Sequence, residues 1–327
     1  MNTDTLVDAY QRKIEYVRIS VTDRCDLRCT YCLPKGFKDF QEPPAWLNFD
    51  ELTRLVGIFS QFGIKRIRLT GGEPLLRRNL AELSQRLAAL PGIEDISLST
   101  NATQLAKHAV ALRRAGVKRV NVSLDSLQSS RIEKITGSNC LSKILTGLEA
   151  AKDAGFDPIK INMVALQGVN DDEIDAMAAF CSEQGFILRL IETMPMGATG
   201  RNAQYLDLQP VRKRLQETFN LVDTLLPGGG PAHYLSSPDK RFNIGFITPM
   251  SQHFCAACNR VRLSVDGMLY LCLGQNDKYD FRHLLRSGAT DEELALALKE
   301  AISIKPLGHE FRTAPHKITR FMSATGG

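Results

Sequence analysis

Tyr16-Val-Arg18-Ile-Ser-Val-Thr-Asp-Arg-Cys25-Asp-Leu-Arg-Cys29-Thr-Tyr31-Cys32 is the stretch on which the reading of this chain turns. A β-branched run, Val17–Thr22, leads directly into three cysteines spaced C-x3-C-x2-C. A cubane iron–sulfur cluster normally takes four thiolates, and the nearest further cysteine, Cys140, is more than a hundred residues away. Three local ligands leave one iron with an open position, where a small molecule can bind and be reduced. Structural zinc prefers four ligands in paired clusters, which the x3 gap and the missing fourth ligand fit poorly.

Working outward, the strand before the cysteines is the first of six. Arg66–Thr70, Ile96–Thr100, Arg119–Leu124, Ile159–Leu166 and Ile187–Glu192 read as the others. Between them lie the amphipathic stretches Phe49–Phe62, Asn79–Leu90, Leu105–Ala115, Leu141–Ala154 and Asp171–Gln184, closed by Gly63, Gly92, Gly116, Gly155 and Gly185 as helix C-termini are. This alternation predicts a parallel sheet with right-handed crossovers. Six units are two short of a closed eight-stranded barrel, so the fold class is α/β, a partial (βα)6 TIM-like barrel. After about Pro195 the alternation stops. The expected division is a barrel over 1–195 and a smaller α+β region over 196–327.

Parallel α/β folds bind ligands at the C-terminal ends of their strands, and the unusual residues cluster there. Gly71-Gly72-Glu73-Pro74 follows the second strand; two glycines allow close backbone approach to a ligand, and Glu73 can accept from an ammonium. Cys255-Ala-Ala-Cys258, then thirteen residues, then Cys272, is a second group of three. A zinc half-site completed by His253 or His283 and a second open-cornered cluster are the two readings. Asn259-Arg260-Val261-Arg262 puts two guanidiniums on one face of a strand, a geometry suited to polyphosphate. Arg18, Arg68 and Lys160 also sit on barrel strands that normally want apolar residues, so an interior cavity for a highly anionic substrate is expected. Cys140 and Cys181 fall in helical patterns and read as small core residues. The chain ends in Gly326-Gly327, a tail that is either inert or threaded into the site.

The two three-cysteine groups, Asn259-Arg260-Val261-Arg262, Ile191-Glu-Thr-Met194-Pro and the terminal glycine pair together resemble the MoaA family, the GTP 3′,8-cyclases of molybdenum cofactor biosynthesis, within the radical S-adenosylmethionine (SAM) superfamily. The resemblance runs over essentially the whole chain. It implies the superfamily's partial barrel and two [4Fe-4S] clusters, the first on Cys25, Cys29 and Cys32 and the second on Cys255, Cys258 and Cys272. It implies SAM contacts at Tyr31, Gly72, Ser123 and Met194. It implies GTP contacts at Arg18, Arg68, Thr100, Lys160, Arg260 and Arg262, and insertion of Gly326-Gly327 toward the site during turnover. The implied activity is a lyase-type cyclisation of GTP to (8S)-3′,8-cyclo-7,8-dihydroguanosine 5′-triphosphate. The implied partners are an electron donor and the downstream cyclic pyranopterin monophosphate synthase, with a homodimer allowed. A radical SAM peptide maturase with an auxiliary cluster and a zinc-stabilised binding module are the rival readings.

Composition bounds these expectations. The chain has 327 residues, 43% of them hydrophobic and 24% charged, as ordinary globular proteins do. Eight cysteines are too sparse for a disulfide scaffold in a chain this long. No apolar run reaches the roughly 18 residues of a membrane span, and residues 1–24 do not read as a signal peptide. A cytoplasmic protein is expected. The net charge of +5, with cations interleaved among acids, is no nucleic-acid footprint.

Overall fold

Strand β1 (Tyr16–Ser20) sets the pattern that the whole sheet follows. Val17 and Ile19 are fully buried in the main apolar core, while Tyr16 and Arg18 turn to the opposite face. Alternation of this kind follows from the period of two along a strand. The computed structural model describes residues 5–34, 42–226 and 228–326. After β1 come α1 (Phe49–Gln61), β2 (Arg66–Thr70), α2 (Leu80–Ala88), β3 (Asp95–Thr100), α3 (Leu105–Arg114) and β4 (Val117–Ser123). They are followed by α4 (Ser129–Thr136), α5 (Leu141–Asp153), β5 (Ile159–Ala165), α6 (Ile174–Gln184) and β6 (Ile187–Glu192). All six expected strands are present and mutually parallel, in the order β1 to β6. Helix α1 starts on a reciprocal cap, with Asn48 accepting from the Glu51 N–H and Glu51 from the Asn48 N–H. Helix α4 was not anticipated from the sequence. It has only eight residues, and Gly137 at φ +75° ends it.

The chain continues through α7 (Gly197–Arg201), α8 (Leu208–Thr218), β7 (Val222–Thr224), β8 (His233–Ser236), β9 (Asn243–Ile247) and β10 (Arg260–Leu263). It ends with β11 (Met268–Tyr270), β12 (Lys278–Asp280), α9 (Phe281–Arg286), α10 (Asp291–Ser303) and α11 (Met322–Thr325). These later strands extend the same sheet at both edges: β9 runs parallel to β6, and β10 parallel to β1. Among the described residues, eight parallel strands therefore stand side by side, with short antiparallel strands beyond them, in a sheet whose two edges do not pair with each other. One apolar core spans both parts of the chain. Phe281 of α9 meets Phe59 of α1 edge-on at 5.7 Å, and both are 0% exposed. Burial of such side chains contributes about 1.5–3 kcal/mol each. Cys140 and Cys181 lie in this core, as expected.

Candidate active site

Two adjoining cavities differ in charge: the first lies at the C-terminal ends of the parallel strands, and the second extends from it toward the starts of β1 and β10. The first is lined by Cys25, Cys29 and Cys32 together with Tyr31, Gly72, Ser123 and Met194. Thus the first cysteine group and all four residues expected to meet SAM share one cavity. Its charged lining residues are Asp125 and Glu192, with no lysine or arginine among them.

The cysteine loop is held by backbone packing. Gly72 N–H donates to Thr22 O at 2.9 Å and Glu73 N–H to Arg24 O at 2.7 Å. A Cβ on Gly71 would lie 2.2 Å from Thr22 O, and one on Gly72 2.1 Å from Arg24 O. The glycine pair is therefore required by the loop that carries the cysteines, a role that the sequence reading, which aimed them at a ligand, did not foresee. Glu73 also differs from expectation. It is fully buried, and its carboxylate accepts from Thr100 Oγ1 at 2.7 Å, Asn101 N at 2.6 Å and Leu75 N at 3.1 Å. Burial nonetheless pushes its pKa up to about 8. Asp125, which accepts from Tyr31 OH at 2.6 Å, is likewise pushed by burial to about 6. Burial raises all three thiols, Cys32 to about 12, and the acids Glu73 and Asp125 add to the shift of Cys25 and Cys29 respectively. With no lysine or arginine in the lining, the desolvated acids there favour a positively charged occupant. Three sulfur donors on one loop fit an iron cluster.

The second cavity reverses the charge. Arg18, Arg68, Arg189, Arg260 and Arg262 line it, each at most 9% exposed, and no acid is among its lining residues. The register explains the crowding: Arg18 pairs laterally with Arg68 on β2 and with Arg262 on β10. Tyr16, one turn of the pleat below, lies 5.6–6.0 Å from the guanidiniums of Arg18, Arg68 and Arg260. Burial, with repulsion from neighbouring guanidiniums added, pulls Arg68 and Arg189 down to about 10. The Nε atoms of Arg18, Arg189 and Arg260 are buried without a hydrogen-bond partner. Buried cations of this kind are costly unless an anion pairs with them. The same cavity is lined by Cys255, Cys258 and Cys272 and by Phe254, Phe311 and His309, with the Arg260 guanidinium 5.8 Å from the Phe254 ring.

The remaining expected residues divide. Thr100 lies in the first cavity, bonded to Glu73, rather than among the arginines. Lys160 lies below the arginine layer, in a pocket that shares Arg68 and Arg189 with the second cavity, and it donates to Tyr234 OH at 3.3 Å. Gly326 is buried over Thr70, and its carbonyl accepts from Arg262 Nη1. Gly327 lies outside the described residues. His253 and His283, the suggested zinc partners, are exposed and line neither cavity. Among the described residues, no three His, Cys, Asp or Glu side chains converge on a single metal-ion position. A cubane spreads its corner ligands more widely than one ion does. Arg189, Tyr16 and His309 were not singled out from the sequence. Arg189 carried a signal, a cation inside the otherwise apolar sixth strand; Tyr16 and His309 carried none.

Residues 19–181 match the family model for the Radical SAM superfamily, and residues 186–311 match that for Molybdenum Cofactor Synthesis C. The chain is 45% identical to the GTP 3′,8-cyclase of Paracoccus denitrificans over 98% of this chain and 96% of that protein. This chain belongs to the GTP 3′,8-cyclase family. It is also 43% identical to the GTP 3′,8-cyclase of Ectopseudomonas mendocina over the full length of both. As a radical SAM protein it uses SAM and an iron–sulfur cluster, and the cavity of Cys25, Cys29 and Cys32 is where the chain offers the donors. Among solved structures, Streptococcus suis SuiB bound to precursor peptide SuiA superposes with a TM-score of 0.64 at 17% identity, covering 90% of this chain and 65% of that one. At that identity the likeness shows the fold alone. No helix among the described residues is long and apolar enough to cross a membrane.

Proposed function

We propose that this chain is a GTP 3′,8-cyclase of the lyase type, converting GTP to (8S)-3′,8-cyclo-7,8-dihydroguanosine 5′-triphosphate in the first step of molybdenum cofactor biosynthesis. The observation that carries this reading is the pair of cavities. A cation-seeking one and an anion-seeking one meet along Asn162, Ile191, Met194 and Met322. SAM carries a sulfonium and an ammonium, and GTP carries a triphosphate. When bound on Cys25, Cys29 and Cys32, a four-iron cluster would supply the electron that cleaves SAM to methionine and the 5′-deoxyadenosyl radical.

The chain's own residues do the rest by placement. Tyr31, Gly72, Ser123 and Met194 line the SAM position. Arg18, Arg68, Arg189, Arg260 and Arg262 receive the triphosphate, with Lys160 beneath them. Phe254 and Phe311 give the purine an apolar wall near Cys255, Cys258 and Cys272, which would hold a second cluster. Thr100 acts through Glu73. Gly326, whose carbonyl Arg262 holds, is the point from which the tail would insert toward the site. In this division, residues 1–195 handle SAM, and residues 196–327 carry the second cysteine group and the tail. The surroundings implied are cytoplasmic, with an electron donor, a downstream cyclic pyranopterin monophosphate synthase and an optional homodimer.

The test is anaerobic reconstitution with iron and sulfide, then incubation with SAM, reductant and GTP. Equal amounts of 5′-deoxyadenosine and cyclised nucleotide are expected. Formation of 5′-deoxyadenosine with GTP untouched would point to another substrate.

A further inference from the structure

Two buried cations beside the second cysteine group are not used by the nucleotide cavity. Arg12 donates through Nη1 to the carbonyls of Cys255 at 2.8 Å and Leu307 at 2.7 Å, and through Nη2 to Pro306 at 2.7 Å. Its charge is matched at once by Asp8, whose Oδ2 lies 2.6 Å from Arg12 Nε. Lys305, just beyond the end of α10, has no such match. It is 2% exposed, and its Nζ donates to the carbonyl of Leu271, the residue before Cys272. Among the described residues it forms no ion pair with an acid. It is not among the residues lining the arginine cavity, whereas Leu271, whose carbonyl it holds, is.

A buried ammonium with one carbonyl for company is costly unless negative charge lies close by. A lysine that served only α10 would donate to that helix's last carbonyls; this one crosses to the β11–Cys272 turn instead. The negative charge within its reach is that of the cysteines. Leu271, whose carbonyl Lys305 holds, is joined directly to Cys272, and three residues beyond Lys305 the chain packs on Cys255, where a Cβ at Gly308 would lie 3.4 Å from the Cys255 Sγ. The cavity of the first cysteine group has the opposite lining, with Asp125 and Glu192 and no lysine or arginine.

We propose that Lys305 is the counter-charge of the iron–sulfur cluster on Cys255, Cys258 and Cys272, a positioning residue that raises that cluster's reduction potential and seats Cys272 against it. The inference rests on the reading that this group holds a cluster. Cluster potentials respond to local charge and hydrogen bonding, and a cation nearby favours the reduced, more negative state.

The experiment is EPR-monitored redox titration, with Mössbauer iron counting, of the anaerobically reconstituted full chain as wild type, Lys305→Met and Lys305→Arg. In Lys305→Met the reduction equilibrium of the second cluster should fall by about tenfold, or about 59 mV for a one-electron couple. The first cluster should stay where it is, and Lys305→Arg should restore the wild-type value. Loss of the second cluster from Lys305→Met alone, with Lys305→Arg keeping it, also supports the counter-charge. An unmoved potential in Lys305→Met overturns the proposal. So does loss of the second cluster from both variants, which makes the lysine a packing requirement. Wild-type protein with about four iron, the content of one cubane, removes the second cluster itself, and the iron count tells that failure apart from the others.

Discussion

At the scale of single residues, the argument rests on cations placed where a barrel interior would ordinarily be apolar. Arg18, Arg68, Arg260 and Arg262 were legible in the sequence because each interrupts a β-branched strand at the alternate position that faces inward. Arg262 also holds the Gly326 carbonyl, so it joins the anion site to the tail. Arg260→Ala should weaken GTP binding by about 2–4 kcal/mol, as truncation of a charge-assisted contact does, and should leave guanosine binding nearly unchanged. Calorimetry with the two ligands checks this, and equal losses for both would remove the triphosphate from the account. Lys160 offers a second test. Burial holds it down to about 7, with Arg189, Arg119 and Arg68 adding to the shift. Below that pH it is already protonated in the free protein; above it, a bound triphosphate must draw in a proton. GTP binding at pH 8 should therefore take up protons, seen as a buffer-dependent binding enthalpy. The uptake should fade toward pH 6 and vanish in Lys160→Met, and affinity should fall as pH rises.

At the scale of elements, the cysteine loop and the turn after β2 form one unit. The spacing C-x3-C-x2-C and the motif Gly71-Gly72-Glu73-Pro74 were both visible in the sequence, but their mutual dependence was not. It arises because the Thr22–Arg24 backbone fills the space where glycine Cβ atoms would stand, a contact between segments about fifty residues apart. Gly72→Ala should therefore displace the first cysteine loop and lower iron from about eight to about four per chain, the content of two cubanes and of one. Iron and sulfide analysis of the anaerobic protein decides; full iron content would show that the loop tolerates the methyl group. The tail makes the same kind of close contact. A Cβ on Gly326 would lie 2.2 Å from Thr70 Cγ2, and the residue stands at φ +72°. Gly326→Ala should keep iron content and folding while severely lowering cyclised product in a single-turnover assay. Loss of stability in parallel would instead make the tail part of the scaffold. Helix α4 and the displaced Thr100 mark where sequence reading stopped. A short helix has too few turns to show a period, and a threonine at a strand end does not disclose which of two cavities it serves.

At the scale of the molecule, strands from beyond residue 195 complete the sheet at both edges, and β10, paired in parallel with β1, brings the second cysteine group to the N-terminal end of these strands, opposite the cysteine loop that follows β1. That placement could not be read from the sequence, because it depends on a parallel pairing between segments more than two hundred residues apart. Its consequence is that an acidic cavity and a basic cavity share a wall, and the account requires SAM in one and GTP in the other within reach of a single hydrogen transfer. The most direct test is turnover with GTP deuterated at C3′, followed by mass analysis of the 5′-deoxyadenosine. The account predicts one deuterium in 5′-deoxyadenosine for each cyclised nucleotide formed. Unlabelled 5′-deoxyadenosine, made while the labelled GTP remains intact, would contradict it.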